Sequence, residues 1–180
     1  MNQKKIQDFF TPKKLNEVIK EKVEKMYIYT DGACSKNGSK QAKAGIGIYF
    51  AENDPRNVSK RIEGKQTNNT AELSAIIEAY NIILKEKDET KEKNNKDIII
   101  ATDSEYAIKC ATTYGLKCDK KNWSQDEIPN KELVKTLFHL HKENQTHIQL
   151  MHIRAHTNKT DIHSIGNANA DRLANESLLL

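Results

Sequence analysis

The chain has 180 residues and a net charge of +4, from 29 lysines and arginines against 25 acids. That length suits one well-buried domain with an appendage and is too short for two ordinary domains. No apolar run approaches the roughly eighteen residues of a membrane helix, and Met1-Asn2-Gln3-Lys4-Lys5 has no apolar signal region behind it, so a soluble protein that is not exported by that route is expected. Cys34, Cys110 and Cys118 are odd in number, widely spaced and free of any CxxC pair, which argues against a disulfide framework and for a reducing compartment, cytoplasm or nucleus.

The positive charge is unevenly spread. Residues 1–25 hold seven lysines and four acids, a net of +3, which leaves only +1 for residues 26–180. Bulk charge therefore gives the core little attraction for a polyanion, and local patches must supply it. At the N-terminus Gln3, Ile6, Phe9 and Phe10 follow a spacing in which the apolar side chains share one side of a helical or 3₁₀ turn. Two adjacent phenylalanines at a lysine-rich end either fold back on the domain or anchor in a partner groove. The pattern Q-x-x-h-x-x-aromatic-aromatic resembles the clamp-binding peptide of replication and repair proteins. The resemblance implies that Gln3 docks in a polar pocket, and Ile6, Phe9 and Phe10 in an apolar one, of a sliding clamp of the proliferating cell nuclear antigen type. Residues 11–25 follow as a charged, helical linker, with Thr11 and Pro12 suited to a helix start and Leu15, Val18, Ile19 and Val23 near helical spacing. A spacer and a segment packed on the core both fit this pattern.

Residues 26–180 form the expected domain. Tyr27 to Thr30 is an apolar, β-prone run that delivers Asp31 to its end, and Gly32 to Gly38 reads as a turn. Ala44 to Phe50 is a second strand and Val58 to Ile62 a third, edge-like one rich in Lys and Arg. Short connections make these three antiparallel. Thr67 to Thr70 supplies cap candidates for a helix whose Leu73, Ile76, Ile77, Tyr80, Ile83 and Leu84 keep i, i+3, i+4, i+7 spacing, with Glu72 in its first turn. Lys85 to Lys96 is almost wholly charged or Asn, a solvated helix end and loop. Ile98 to Thr102 is apolar on both faces, as a central parallel strand is, and ends on Asp103. A helix over Glu105 to Ala111 follows, then a small basic segment with Lys117, Lys120, Lys121 and Trp123. Asn130 is placed to cap a helix bearing Leu133, Val134, Leu137 and Phe138. Ile148 to Ile153 is the last strand, a loop carries His156 and His163, and Gly166-Asn167 opens the final helix with Asp171 in its second turn.

This order gives an α/β fold, a mixed five-stranded sheet with helices on its faces. Asp31 and Asp103 end strands, while Glu72 and Asp171 lie early in helices, so the four acids are placed to meet at one edge. Taken singly, each has a bland reading: a turn, an N-cap, a helix-dipole acid. Clustered carboxylates repel and are driven to take protons unless divalent cations resolve the repulsion, and magnesium is the natural oxygen-seeking choice. His152, His156 and His163 with distant cysteines lack a recognised zinc spacing.

Five ordered segments now resemble type 1 ribonuclease H: Tyr29-Thr30-Asp31-Gly32-Ala33, Thr67-Asn68-Asn69-Thr70-Ala71-Glu72-Leu73, Ala101-Thr102-Asp103-Ser104, His152-Ile153-Arg154-Ala155-His156 and Gly166 to Ala174. The resemblance implies the ribonuclease H-like fold and hydrolysis of the RNA strand of RNA/DNA hybrids, leaving 3′-hydroxyl and 5′-phosphate ends. It implies that Asp31, Glu72, Asp103 and Asp171 hold two magnesium ions, with manganese as a substitute and Asp31 as the bridge, and that His156 assists proton transfer or product release. It matches Asn37, Asn68 and Asn69 to contacts with RNA 2′-hydroxyls, Thr67 and Asn122 to a phosphate pocket for the DNA strand, and Tyr106 and Tyr114 to the DNA channel. Cys118 replaces an aromatic residue that many relatives carry, the basic protrusion is shortened, and Ala155 replaces a usual glycine. A monomer is expected. The competing classes are a non-catalytic hybrid-binding adaptor, which the loss of an acid would favour, and a nuclease of DNA junctions, against which Asn37 and Thr67-Asn68-Asn69 argue.

Overall fold

The structure, a computed structural model, describes residues 24–90, 97–125, 127–155 and 160–180. Its centre is β1 (Lys25–Ser35), where Tyr27, Ile28, Tyr29 and Thr30 supply the aromatic and β-branched side chains that favour a half-buried pleat. It pairs antiparallel with β2 (Lys43–Tyr49), which pairs antiparallel with β3 (Val58–Arg61). On its other side it runs parallel to β4 (Asp97–Thr102), which runs parallel to β5 (Ile148–His152), giving the order β3-β2-β1-β4-β5. The mixed five-stranded sheet expected from the sequence is present.

Side chains on β1 alternate between two cores. Ile28 joins Ile48, Ile100 and Ile148 under α1 (Asn68–Thr90), α2 (Glu105–Ala111) and α4 (Lys131–Asn144), whose Leu73, Ile76, Tyr80, Val134 and Leu137 fill the larger cluster. Each such side chain contributes about 1.5–3 kcal/mol when fully buried. Tyr29 faces the other way, with Ala101, Ile153 and Ala170, under α5 (Ile162–Ser177). The glycines of β2 let α5 lie close: a Cβ on Gly47 would overlap the Ala170 carbonyl oxygen.

Several expectations change. β1 does not turn at Gly32; it continues to Ser35, pairing Asp31 with Gly47 and Cys34 with Ala44, and the turn comes at residues 36–40. Gly32 serves packing instead, since a Cβ there would overlap the backbone of Ala71 and Glu72. The last helix begins at Ile162 rather than Gly166, because Asp161 accepts from the backbone N–H groups of His163 and Ser164. Gly166 is tolerated inside it because the Tyr29 ring occupies the space of a Cβ. His163 is thus helical, its Nδ1 3.2 Å from the Tyr29 hydroxyl. An extra short helix, α3 (Thr113–Asp119), follows α2 directly, with Gly115 pressed against Phe138. No helix among the described residues is long and apolar enough to cross a membrane.

Candidate active site

Three elements deliver carboxylates to one place. Asp31 lies within β1 on the face that Tyr29 shares, and is 8% exposed. Asp103 follows β4 at once, and its side chain is not spent on capping α2, since Ser104 Oγ accepts from Ala107 N at 3.2 Å and does that work. Glu72 enters from α1 on the opposite face of the sheet, where bare Gly32 lets the helix backbone approach. Because α1 begins at Asn68, Glu72 lies just past the first turn instead of within it. Thr67 and Thr70 close that helix start reciprocally, Thr67 N to Thr70 Oγ1 at 3.0 Å and Thr70 N to Thr67 Oγ1 at 3.1 Å.

One carboxylate oxygen from each of Asp31, Glu72 and Asp103 lies within 4.8 Å of the others, the one such ligand group among the described residues. Asp171, in the third turn of α5 rather than the second, adjoins the trio on the Asp31 side, close enough for its charge to act on Asp31. Burial pushes Asp31 up to about 7, with Asp103 and Asp171 adding to it and the Gly32 N–H, 2.8 Å from Asp31 Oδ1, opposing. Burial, then the charges of Asp31 and Asp103, push Glu72 up to about 9. Glu72 Oε2 is buried with no hydrogen-bond partner among the described residues. An all-oxygen donor set whose members cannot ionise together unaided, one of them with an unpaired buried oxygen, fits a hard divalent cation. His152 supports the site from β5: its Nε2 lies 3.2 Å from the Asp103 carbonyl oxygen, which can only accept, so Nε2 carries the proton.

The remaining predicted residues fall into groups. Asn37 reaches the start of α1, its Oδ1 accepting from Asn68 N at 3.4 Å, and Asn37, Asn68 and Asn69 are exposed together there. Tyr106 and Tyr114 line one apolar pocket of about 210 Å³ with Lys109, Cys110 and Pro129. Cys118, the departure from the family pattern noted in the sequence, is buried and a free cysteine. Asn122 is exposed, in a left-handed turn with φ 50°. It is absent from the cleft of about 420 Å³ beside Thr70, where Lys65, Asn130 and Lys131 stand instead. Asn130 occupies the N-cap position of α4 without capping it through its side chain, and Nδ2 donates to the Tyr106 hydroxyl at 3.1 Å. Lys65 was not singled out by sequence and Asn130 only as a helix cap; neither spacing nor periodicity marks them as neighbours, because they lie far apart in the chain and meet only in the folded cleft. Gln3, Ile6, Phe9, Phe10 and His156 lie outside the described residues.

Comparison with known proteins gives one answer. Residues 23–178 match the family described as RNase H. The chain is 36% identical to ribonuclease H1 of Rattus norvegicus over 156 residues, covering 85% of this chain and 50% of that one. It is 30% identical to ribonuclease H of Clostridium botulinum over 160 residues, covering 87% of this chain and 97% of that one. The chain thus spans about half the length of the mammalian relative and nearly all of the bacterial one. Among solved structures, LC11-RNase H1 in complex with an RNA/DNA hybrid superposes with TM-score 0.55 at 24% identity, over 86% of this chain and 96% of that one, and shares the fold.

Proposed function

The chain belongs to the RNase H family, and on that premise we propose that it is a metal-dependent endonuclease hydrolysing the RNA strand of RNA/DNA hybrids to 3′-hydroxyl and 5′-phosphate ends. The observation that carries the reading is the meeting of Asp31, Glu72 and Asp103 within 4.8 Å, with Asp171 beside Asp31. These four would hold two magnesium ions, which supply an activated water and a counter-charge for the leaving 3′-oxygen, with manganese as a substitute. The chain's own part is to orient. Asp31, grouped with Glu72 and Asp103 and adjoined by Asp171, would share in holding the metal with all three. Ser104 caps α2 so that Asp103 stays free, and His152 tethers the Asp103 backbone. Asn37, Asn68 and Asn69 would read the RNA 2′-hydroxyls, and Tyr106 and Tyr114 would receive the DNA strand; Thr67 and Asn122 keep the phosphate-pocket role that the resemblance implies. The relative solved with an RNA/DNA hybrid supports the substrate class. His156 would move a proton or ease product release.

The test is an end-labelled RNA/DNA hybrid beside matched RNA and DNA duplexes, with magnesium, with EDTA, and with Asp103→Asn. Magnesium-dependent cleavage of the hybrid RNA strand, lost in EDTA and in the variant, is the expected result. Cleavage of duplex DNA, or hybrid cleavage that survives EDTA, overturns the reading.

The N-terminal pattern Gln3, Ile6, Phe9, Phe10 carries a second part of the proposal, recruitment to a sliding clamp at replicated DNA inside the cell. Tethering raises the effective concentration of the nuclease at its substrate without new contacts to it. Phe9→Ala with Phe10→Ala should abolish clamp binding and leave cleavage of free hybrid intact; unchanged clamp binding sinks the idea.

A further inference from the structure

Asn167 precedes Asp171 by one helical turn on α5 and is 5% exposed. Its Nδ2 donates to Oδ2 of Asp103 at 3.1 Å. A carboxylate oxygen only accepts, so this contact orients the whole amide and turns Oδ1 away from Asp103. That Oδ1 is buried and has no donor among the described residues. Leaving a buried amide carbonyl unpaired costs about 1–3 kcal/mol, and the same helix face packs Ala170 and Ala174 into the sheet without such a cost. Asn175, one turn beyond Asp171, offers a contrast: it is exposed and donates to the Asp171 carboxylate and carbonyl, both at 2.9 Å, as a helix-surface amide does.

We propose that Asn167 is a positioning residue with two linked roles, an inference that rests on the metal-dependent reading above. Its amide N–H holds one oxygen of Asp103 and so aims the other at Asp31 and Glu72. Its Oδ1 is the acceptor for a water in the hydration shell of the cation that those carboxylates hold. Magnesium dehydrates reluctantly and keeps several waters, each a strongly polarised donor in need of an acceptor. A buried carbonyl on the same side chain that holds Asp103 meets that need. Partners of this kind typically change metal affinity 10- to 100-fold.

The experiment is a magnesium titration followed by ¹H–¹⁵N correlation spectra, with no nucleic acid, on the full chain and on Asn167→Ala. The side-chain amide pair of Asn167 is expected to shift with the same apparent Kd as the backbone amides around Asp31 and Asp103. Asn167→Ala is expected to raise that Kd about tenfold or more, while backbone resonances remote from the site stay put. A merely structural role would lower the melting temperature and leave the Kd alone. Should Asn167→Ala fail to fold, the native side-chain amide still decides. If the backbone amides respond and the Asn167 amide does not, or if the folded variant keeps its Kd within about twofold, this inference alone falls. If the native protein shows no magnesium response, the metal-dependent reading falls with it.

Discussion

Replacing Glu72 by Gln should stabilise the metal-free protein. Glu72 is 7% exposed and its folded pKa stands at about 9 against an ordinary 4.5. Across that window the native state binds a proton that the unfolded chain has released, so native stability is fullest below about pH 4.5 and declines as pH rises towards 9. At pH 7 the penalty is the interval between pH 7 and 4.5, at about 1.4 kcal/mol per pH step, or about 3 kcal/mol. A glutamine is neutral throughout and offers its NH₂ to the carboxylates of Asp31 and Asp103. The net gain at pH 7 is therefore about 2–3 kcal/mol, which for a domain of this size is about 5–10 °C in Tm. The assay is thermal unfolding in EDTA at pH 4.5, 7 and 8.5, for both proteins, repeated with saturating magnesium. The variant should match the parent at pH 4.5, exceed it increasingly above, and lose most of the magnesium-induced rise in Tm. A variant less stable than the parent at pH 8.5 in EDTA, or a difference that ignores pH, refutes the account of Glu72 as a buried acid awaiting a cation.

Gly32→Ala should separate β1 from α1, because the added Cβ meets the backbone of Ala71 and Glu72; about 1–3 kcal/mol of stability and most of the magnesium affinity should go, read by urea unfolding and metal titration. Ser104→Ala removes the α2 cap and should cost about 1 kcal/mol, with a drop in hybrid cleavage larger than the small fall in Tm implies, since Asp103 then has a capping vacancy beside it. His141 is held below its usual range by burial, with Nδ1 2.9 Å from the hydroxyl of fully buried Tyr80. Its folded pKa lies below the unfolded one, so it drains stability as pH falls through 6.5, the ordinary value. His141→Gln should flatten that acid limb relative to the parent in unfolding curves between pH 7 and 5, and an unchanged limb would remove His141 as its source.

Much of this site was legible because its signals are local. Two strands running into Thr-Asp, at Asp31 and Asp103, and a gapless apolar stripe behind Glu72 depend only on the periods of strand and helix. Where local signals compete, the tertiary structure decided. Gly32 after Asp31 reads as a turn by residue type, yet pairing with β2 carries the strand on to Ser35, and the glycine answers to α1 instead. Gly166 looks like a helix start, yet Asp161 caps the helix earlier and Tyr29 needs the glycine inside it. Thr113-Tyr114-Gly115 has poor helix propensity, and α3 forms because packing against Phe138 overrides it.

The sequence by itself determined which acids exist, on which kind of element each sits, and that the chain folds as an α/β domain. Only the tertiary structure decided that Asp31, Glu72 and Asp103 form the tight group with Asp171 beside it, that Lys65 and Asn130 share a cleft, and that Asn167 holds Asp103. Spacing along a chain sets the face of an element, whereas the distance between side chains on different elements follows from register and close approach, and those are settled only when the whole sheet is packed.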